Sequence, residues 1–165
     1  MEKIAAMSAS SKEKLMDSLG WKLLIELQKD GRISFAELGR RVGLSTPAVA
    51  QRVGRMEDEG IIRAYRADVS PRDVGLPITA FIRMSVVGDV LAKLTARVRT
   101  MPEIVECHHV TGEDSFQLKL VASSIGHLEE LVGKLSAFGQ TTTSIVLSTT
   151  LTRNLAGLKP AGMLG

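Results

Sequence analysis

The sequence is poor in cysteine, in aromatic residues and in long apolar runs. It has one cysteine, Cys107, in 165 residues, which excludes an internal disulfide framework and is typical of a reducing compartment. Aromatic residues make up 4% of the chain, and no stretch approaches the roughly 18 apolar residues that a membrane span needs. The apolar run after Lys3 is too short for the core of a signal peptide. We therefore expect a soluble cytoplasmic protein that does not contact a membrane.

Motifs for catalysis and for metal binding are also missing. The chain has no nucleophile elbow, no phosphate-binding glycine loop and no paired carboxylates in an apolar setting, so neither an enzyme nor a cofactor is expected. His108 and His109 are adjacent on a predicted strand, so their side chains should point to opposite faces. With only Cys107 and His127 as further candidates, no metal site is predicted.

Three short helices are predicted in the first third of the chain. Asp17 can cap the first helix, which carries leucines on one face and ends near Asp30. Gly31 is expected to follow in the left-handed conformation that glycine favours. Ser34, followed three residues later by Glu37, is a capping box that opens the second helix.

The third helix follows a tight turn, as in a helix-turn-helix. Gly43 is expected to close the second helix, and Ser45 can cap the third, with Pro47 in its first turn, where a missing N–H costs little. Gly60 is expected to end the third helix, and the run 61–65 after it resembles a strand. The pattern predicts a helix-turn-helix, winged-helix-like domain.

The third helix has two distinct faces at 100° per residue. Val49, Val53 and Met56 share one narrow sector, which should face the core. On the opposite side Gln51 and Arg55 stand among small residues. Glutamine can pair bidentately with adenine, and arginine with guanine, in the major groove of DNA. The predicted DNA-binding residues are Arg40, Arg41, Ser45, Thr46, Pro47, Ala48, Gln51, Arg52 and Arg55.

Charge along this region is uneven, although the net charge of the chain is only +3. Four arginines and no carboxylate lie between Arg40 and Met56, and three acidic residues, 57–59, follow directly. Acid at a helix C-terminus opposes the helix dipole, but it stays clear of DNA when the helix enters the groove by its N-terminal part. The alternative interpretation is a solvated amphipathic helix in an ordinary three-helix bundle. Gly54, which weakens an exposed helix, is explained under the first interpretation by close approach to the duplex.

The rest of the chain predicts an α/β domain after a linker that contains two prolines and a glycine. Strands are predicted at 78–87, 104–111, 115–122 and 141–151, with helices at 90–101 and 127–135. This order is β-α-β-β-α-β, the ferredoxin-like arrangement, and the fold class is α+β. The predicted organisation is an N-terminal arm (1–15), the helix-turn-helix domain (16–66), a linker (67–77), the α/β effector and oligomerisation domain (78–151) and a C-terminal tail (152–165).

The α/β domain is expected to self-associate. Two helices cover only one face of a four-stranded sheet, while the strands look apolar on both faces, as in the consecutive run 145–147 and at Phe81 beside Ala80 and Ile82. An uncovered apolar face favours a two-fold partner.

The sequence resembles the Lrp/AsnC (leucine-responsive, feast/famine) family. The resemblance rests on LQKDGRIS (27–34), ELGRRVGLS (37–45) and RVGRMEDEGIIRAY (52–65), then on PEIVECHHVTGEDSFQLKL (102–120) and TTTSIVL (141–147). It implies a transcriptional regulator that binds double-stranded DNA as a homodimer and assembles further, often to octamers. It also implies an amino-acid effector held where dimers meet. The implied effector residues are Thr111, Gly112, Glu113, Asp114, Ser115, Thr141 and Thr143.

The chemistry of these residues suits a free amino acid. The N–H groups of the Gly112 turn and the hydroxyls of Thr141 and Thr143 could hold its carboxylate, and Asp114 or Glu113 its ammonium. The alternative is a plain polar hairpin turn beside a solvent-facing strand.

We therefore predict a sequence-specific transcriptional regulator whose oligomeric α/β domain responds to an amino acid or a related metabolite. One alternative is an architectural DNA-compacting protein without an effector. Another is a regulatory subunit of a metabolic enzyme, against which the outward face at Gln51 and Arg55 argues.

Overall fold

The computed structural model describes residues 12–86 and 90–152. These residues form two compact units, with the division between Ala67 and Asp68 and the second unit running to Thr150. Most of the predicted N-terminal arm and C-terminal tail lies outside the described residues. Across the described ranges, no helix is long and apolar enough to cross a membrane.

The first unit contains the three predicted helices: α1 (Ser18–Lys29), α2 (Phe35–Val42) and α3 (Thr46–Asp58). Each begins at the predicted cap, because the side chains of Asp17, Ser34 and Ser45 accept hydrogen bonds from the first turn of the helix that follows. Residues from all three helices and the α1–α2 turn form the core of this unit: Leu23, Leu27, Ile33, Leu38, Val42, Val49 and Val53.

The turn between α2 and α3 is tight. Gly43 closes α2 in the left-handed conformation at φ 80°, as predicted. The main chain after it folds back on Gly39, whose carbonyl accepts hydrogen bonds from the N–H groups of Gly43 at 2.8 Å and Leu44 at 2.9 Å. A Cβ atom on Gly39 would collide with the carbonyl oxygen of Leu44. This close approach fixes α3 against α2.

Two predictions for the first unit are wrong. Gly31 is not left-handed: α1 ends at Asp30 in an extended conformation (φ −144°), and the Asp30 carboxylate accepts a hydrogen bond from the Arg32 N–H at 2.9 Å. The run 61–65 is not a strand either. The first unit has no other strand among its described residues, so this run has no ladder to join. The N–H groups of Ile61 and Ile62 instead bond to the carbonyl of Met56 and close α3.

The second unit has the predicted β-α-β-β-α-β order: β1 (Ile78–Ser85), α4 (Leu91–Arg99), β2 (Ile104–His109), β3 (Phe116–Ala122), α5 (Ile125–Ser136) and β4 (Gln140–Ile145). The strands form one antiparallel sheet in the order β2-β3-β1-β4. A short 3₁₀ helix, Arg72–Val74, lies within the predicted linker.

The last strand is shorter than predicted. Ala80 pairs with Ile145, and the Val146 N–H still bonds to the Thr79 carbonyl at 2.9 Å. The strand stops there, although the register would place Leu147 opposite Ile78, the first residue of β1. Leu147 is accordingly 96% exposed.

Helices α4 and α5 cover one face of the sheet over a core made by all of these elements except β2 and β4: Ala80, Ile82, Met84, Leu94, Met101, Phe116, Leu118, Leu120, Ala122, Leu128, Leu131 and Leu135. The opposite, open face is not the apolar surface that we expected. By register, Phe81 stands there between Lys119 and Ser144, beside Arg83, while Ile145 lies on the helix-covered side. Charged and hydroxyl side chains alternate with the core residues, so the open face is mixed.

Candidate DNA-binding and effector-binding surfaces

Helix α3 presents the predicted polar face. Val49, Val53 and Met56 are fully buried beneath it, while Gln51 and Arg55 are exposed. The residues near them are small, so few side-chain atoms project from the outer side of the helix. A Cβ on Gly54 would meet nothing within 4 Å. Ser45 caps the helix, and Thr46 and Pro47 are exposed in its first turn, which has no acidic residue. The N-terminal half of α3 is thus accessible and free of negative side chains.

Arg52 has different surroundings from Arg55. Its guanidinium donates to the Asp17 carboxylate, to the Leu15 carbonyl at 3.3 Å and to the Lys14 carbonyl at 3.5 Å. Its Nε atom is buried without a hydrogen-bond partner among the described residues. Arg52 therefore ties α3 to the segment that leads into α1. This contact was not predicted, and no local sequence signal reports it because Asp17 and Arg52 are 35 residues apart.

The charge of Asp17 depends on this contact. Burial acts to raise the pKa of its carboxyl, but the hydrogen bond from the Gly20 N–H and the guanidinium of Arg52 outweigh burial, and the pKa falls below its ordinary value of 3.8. Asp17 thus combines a helix cap with an ion pair.

Arg40 and Arg41 are also paired within the protein. Arg40 contacts Glu37, and Arg41 bonds to Glu37 at 2.7 Å and to Glu26 at 2.8 Å. Hydrogen bonds from Lys29 and Arg41 lower the pKa of Glu26. The pairs with Glu37 have three- and four-residue spacings that could have been found in the sequence. Exposed pairs of this kind are weak and can exchange for phosphate contacts.

One acid at the end of α3 has a structural role. Tyr65 donates its hydroxyl to Glu57 at 2.8 Å, and burial together with this carboxylate raises the pKa of Tyr65 to about 12. Glu57 therefore holds the chain that leaves the helix-turn-helix. From the sequence, Glu57 was expected only to lie clear of DNA.

Lys14 lies near the outward face of α3 and was not predicted to do so. A cavity of about 230 Å³ lies between the arm and α3, and Lys14, Gln51 and Arg55 are among the residues that line it. No motif in the sequence marks Lys14. Its placement depends on the docking of Leu15, which is 3% exposed.

The predicted effector loop joins β2 to β3. Gly112 has φ 120°, a conformation that favours glycine. Asp114 is 3.3 Å from the guanidinium of Arg83, and the Ser115 N–H donates to the Met84 carbonyl at 2.8 Å. The loop is thus anchored to β1 at its C-terminal side. Its exposed residues are Thr111, Gly112 and Glu113.

The two predicted threonines lie on the other side of β1. Thr141 pairs with Met84 and Thr143 with Ile82, so Thr141 is at the same end of the sheet as the loop. Because neighbouring strands are about 4.8 Å apart, Ser115 and Thr141 are separated by about 10 Å, with β1 between them. The structure brings Thr141 close to this end of the sheet and places Thr143 two residues further along.

The cysteine and histidines are spread over both faces of the sheet. Cys107 and His109 are in register with Leu118 and Phe116 on the helix-covered side, and His108 is in register with Gln117 on the open side. His109 stacks on Phe116 with ring centroids 4.9 Å apart. The part of the chain that the structure describes holds no group of three metal-ligating side chains.

His127 lies in line with a serine and a carboxylate. Its Nδ1 is 3.0 Å from Ser123 Oγ, and its Nε2 is 3.5 Å from Glu103. The backbone N–H of Ser123 also bonds to Nδ1 at 3.3 Å and competes for its single lone pair, while Ser124 caps α5 beside it. This arrangement holds the start of α5.

A helix-turn-helix with an exposed polar face and a separate α/β unit define a two-domain DNA-binding protein. Comparison with family models agrees: residues 16–57 match the AsnC-type helix-turn-helix domain, and residues 79–155 match the Lrp/AsnC ligand binding domain. The chain belongs to the Lrp/AsnC family of DNA-binding transcriptional regulators.

Similar proteins cover nearly the whole chain. The HTH-type transcriptional regulator LrpC of Bacillus subtilis is 32% identical over 142 residues, 86% of this chain and 99% of that protein. The leucine-responsive regulatory protein of Haemophilus influenzae is 31% identical over 155 residues, 90% of this chain and 93% of that protein.

Solved structures agree with the fold. That of B. subtilis LrpC superposes with a TM-score of 0.81 at 32% identity, covering 84% of this chain and 99% of that one. A transcriptional regulator of Neisseria meningitidis, solved as a complex with L-methionine, has a TM-score of 0.79 at 31% identity, covering 86% of this chain and 95% of that one.

Proposed function

We propose that this protein reads a specific DNA sequence as a homodimer and that an amino acid bound to its α/β domain regulates it. The observation that carries the proposal is the outward side of α3, where Gln51 and Arg55 are exposed above a fully buried Val49, Val53 and Met56. These two side chains have the hydrogen-bonding groups that distinguish adenine and guanine in the major groove.

The remaining predicted DNA contacts have supporting roles in this proposal. Arg40 and Arg41 exchange their surface ion pairs for phosphates, and the first turn of α3 approaches the backbone through Ser45, Thr46, Pro47 and Ala48. Arg52 positions α3 through Asp17 rather than reading a base.

For the effector, we propose the loop 111–115 together with Thr141 and Thr143. The Neisseria relative, which was solved with L-methionine, supports an amino acid as the ligand class. The exposed Glu113, or Asp114 after exchange from Arg83, would receive the ammonium group. Because β1 separates the loop from Thr141, a second copy would have to complete the site, which fits homodimers that assemble further, to octamers.

The test of DNA recognition is fluorescence anisotropy with the DNA upstream of the protein's own gene and with a composition-matched scrambled duplex, at several salt concentrations. We expect clear preference for the upstream DNA. Equal, steeply salt-dependent binding to both duplexes would favour an architectural protein instead. Absence of binding to either duplex would contradict both.

The test of effector binding uses the same assay with each of the twenty amino acids. At least one is expected to change the DNA affinity of the wild-type protein, and Asp114→Ala is expected to abolish that change. Glu129→Ala, which removes an exposed carboxylate on α5, is the matched control and should respond normally. An unchanged response in Asp114→Ala would remove Asp114 from the proposed site.

A further inference from the structure

The two helices of the α/β unit do not cover the sheet equally. Helix α5 buries Leu128, Leu131 and Leu135, whereas α4 buries only Leu94. Beneath α4, strand β2 contributes Cys107 instead of a large aliphatic side chain. A cavity of about 340 Å³ remains between α4 and strands β2 and β3. Its lining residues are Leu91, Leu94, Thr95, Val98, Arg99, Cys107, His109 and Phe116.

The lining has the chemistry of a site for a small amphiphilic anion. Leu94 and Phe116 are almost completely buried and form an apolar interior, and Val98 is half-buried beside them. Arg99 supplies a cation, and it has no ion-pair partner within the described ranges. The volume is at the lower end of the range of about 300–1,000 Å³ for small-molecule pockets.

The same lining is poorly suited to an amino acid. A zwitterion needs a carboxylate or several oxygen acceptors for its ammonium group, and the lining residues that the structure describes include no Asp or Glu. None of them belongs to the predicted effector set in the loop 111–115 and strand β4.

We propose that this cavity is a second ligand site, which binds a small monocarboxylate with an apolar chain and no amino group, such as a 2-oxo acid. Arg99 binds the carboxylate at the rim, and the apolar chain packs against Leu94 and Phe116. The Thr95 hydroxyl and the His109 ring are the nearby polar groups that can hydrogen bond to a 2-oxo oxygen. This site is independent of the proposed amino-acid site.

Cys107 provides a direct reporter of occupancy. It is the only cysteine of the chain, so a thiol reagent labels one position. Part of the residue reaches solvent, yet burial raises the pKa of its thiol. Reaction with a disulfide reagent is therefore measured at alkaline pH, because a rise in pH increases the reactive thiolate fraction.

The experiment compares 4-methyl-2-oxopentanoate with L-leucine, which has the same carbon skeleton and an amino group in place of the oxo group. The full-length protein is titrated with each, and both the rate of Cys107 modification and the heat of binding are recorded. We expect the oxo acid to bind and to slow modification, and L-leucine to have little effect on the rate. Failure of the oxo acid to bind or to protect Cys107 would overturn the site, and equal protection by L-leucine would overturn the ligand class.

Arg99→Gln tests the anion contact, and Arg97→Gln is the matched control on the same helix. Loss of the charge-assisted hydrogen bonds from Arg99 should lower the affinity for the oxo acid by about tenfold, while Arg97→Gln should leave this affinity unchanged. Equal affinities in the two variants would contradict the role of Arg99. Because Arg99 is exposed, the substitution should not unfold the domain, which circular dichroism checks.

The amino-acid response is measured separately by DNA anisotropy in Arg99→Gln. If the proposed function is right and the two sites are independent, this variant keeps DNA binding and its amino-acid response while it loses affinity for the oxo acid. Failure of DNA recognition in the wild-type protein would leave the protection of Cys107 unaffected, so the two proposals can fail independently.

Discussion

Arg52 and Arg55 lie one helical turn apart on α3, but only Arg55 is available to DNA in the free protein. Arg52 is bound to Asp17 and to the carbonyls before α1, whereas Arg55 is exposed and has no ion-pair partner among the residues that the structure describes. The helical wheel separated the buried side of α3 from its outward side correctly. It could not reveal the Asp17 contact, because that contact depends on how the segment before α1 docks.

Replacement of Arg55 by alanine should weaken specific DNA binding by about 1–3 kcal/mol and relax the preference for one base pair, since a bidentate contact to guanine contributes on that order. Competition anisotropy with single-base variants of the preferred site measures both effects. Arg63→Ala removes an exposed arginine beyond the end of α3 and is the control for net charge. Equal losses in the two variants, with base preference retained, would show that Arg55 acts only through its charge.

Asp17 should make stability depend on pH at the acidic end. Its folded-state pKa is lowered, so its charge stabilises the protein above the unfolded-state pKa near 3.8, and this contribution disappears as pH falls through the lower folded-state value. Asp17→Asn retains a capping side chain but loses the charge. We expect Asp17→Asn to be less stable than the wild type at pH 7 by up to about 1 kcal/mol, because the pair is partly exposed. The difference should vanish at strongly acidic pH.

Urea denaturation at several pH values measures this effect, and a double-mutant cycle with Arg52→Gln isolates the pair. If Asp17→Asn remains less stable than the wild type at low pH, the stability difference comes from helix capping and not from the charge.

Two glycines in neighbouring helices should respond to the same substitution in opposite directions. A Cβ on Gly39 would strike the Leu44 carbonyl, whereas one on Gly54 would meet nothing within 4 Å. Gly39→Ala is therefore expected to destabilise the protein by about 1–3 kcal/mol, because the backbone of the turn must move. Gly54→Ala should stabilise it by up to about 1 kcal/mol through helix propensity.

DNA affinity separates the two roles further. If α3 sits deep in the groove, Gly54→Ala loses affinity although it gains stability, and thermal unfolding with anisotropy shows both. A gain in stability at unchanged affinity would mean that Gly54 has no part in the approach to DNA.

The fold was largely predictable at the level of helices and strands, because caps and periodicities are local. The Ser34 and Ser45 caps and the β-α-β-β-α-β order follow from signals within a few residues of each other. The errors involve neighbours that the sequence does not show. The run 61–65 has strand-forming residues but no partner strand, and β4 ends at Ile145, opposite Ala80. The open face was predicted to be apolar because the consecutive apolar residues 145–147 were all assigned to the last strand. That strand ends at Ile145, and polar side chains share the open face.

The three proposed sites differed in how far the sequence could locate them. The reader positions Gln51 and Arg55 follow from helical periodicity alone, and the structure exposes both. The effector set follows from the family resemblance, and its groups lie on two sides of β1, so one chain does not bring them together. The cavity beside Cys107 depends on loose packing of α4, which no spacing in the sequence indicates.

The function of the whole molecule should depend on pairing of two copies through the open face of the sheet. Phe81 is 37% exposed on this face, in register with Lys119 and Ser144. If two copies pair through this face, Phe81→Glu buries a charge in the interface, which weakens the pairing. We expect sedimentation equilibrium to show a smaller assembly than the wild type. Ile125→Glu, at an exposed apolar position in the first turn of α5, is the matched control and should keep the wild-type mass.

If a dimer places two α3 helices in successive grooves, footprints of the wild type should show protected half-sites about 10 base pairs apart or at a multiple of that distance. Phe81→Glu should lose this regular spacing together with most of its affinity, since each remaining monomer contacts one half-site. Retention of the wild-type mass and footprint by Phe81→Glu would show that the copies pair through another surface. A smaller assembly with an unchanged footprint would show instead that DNA itself brings the two reader helices together.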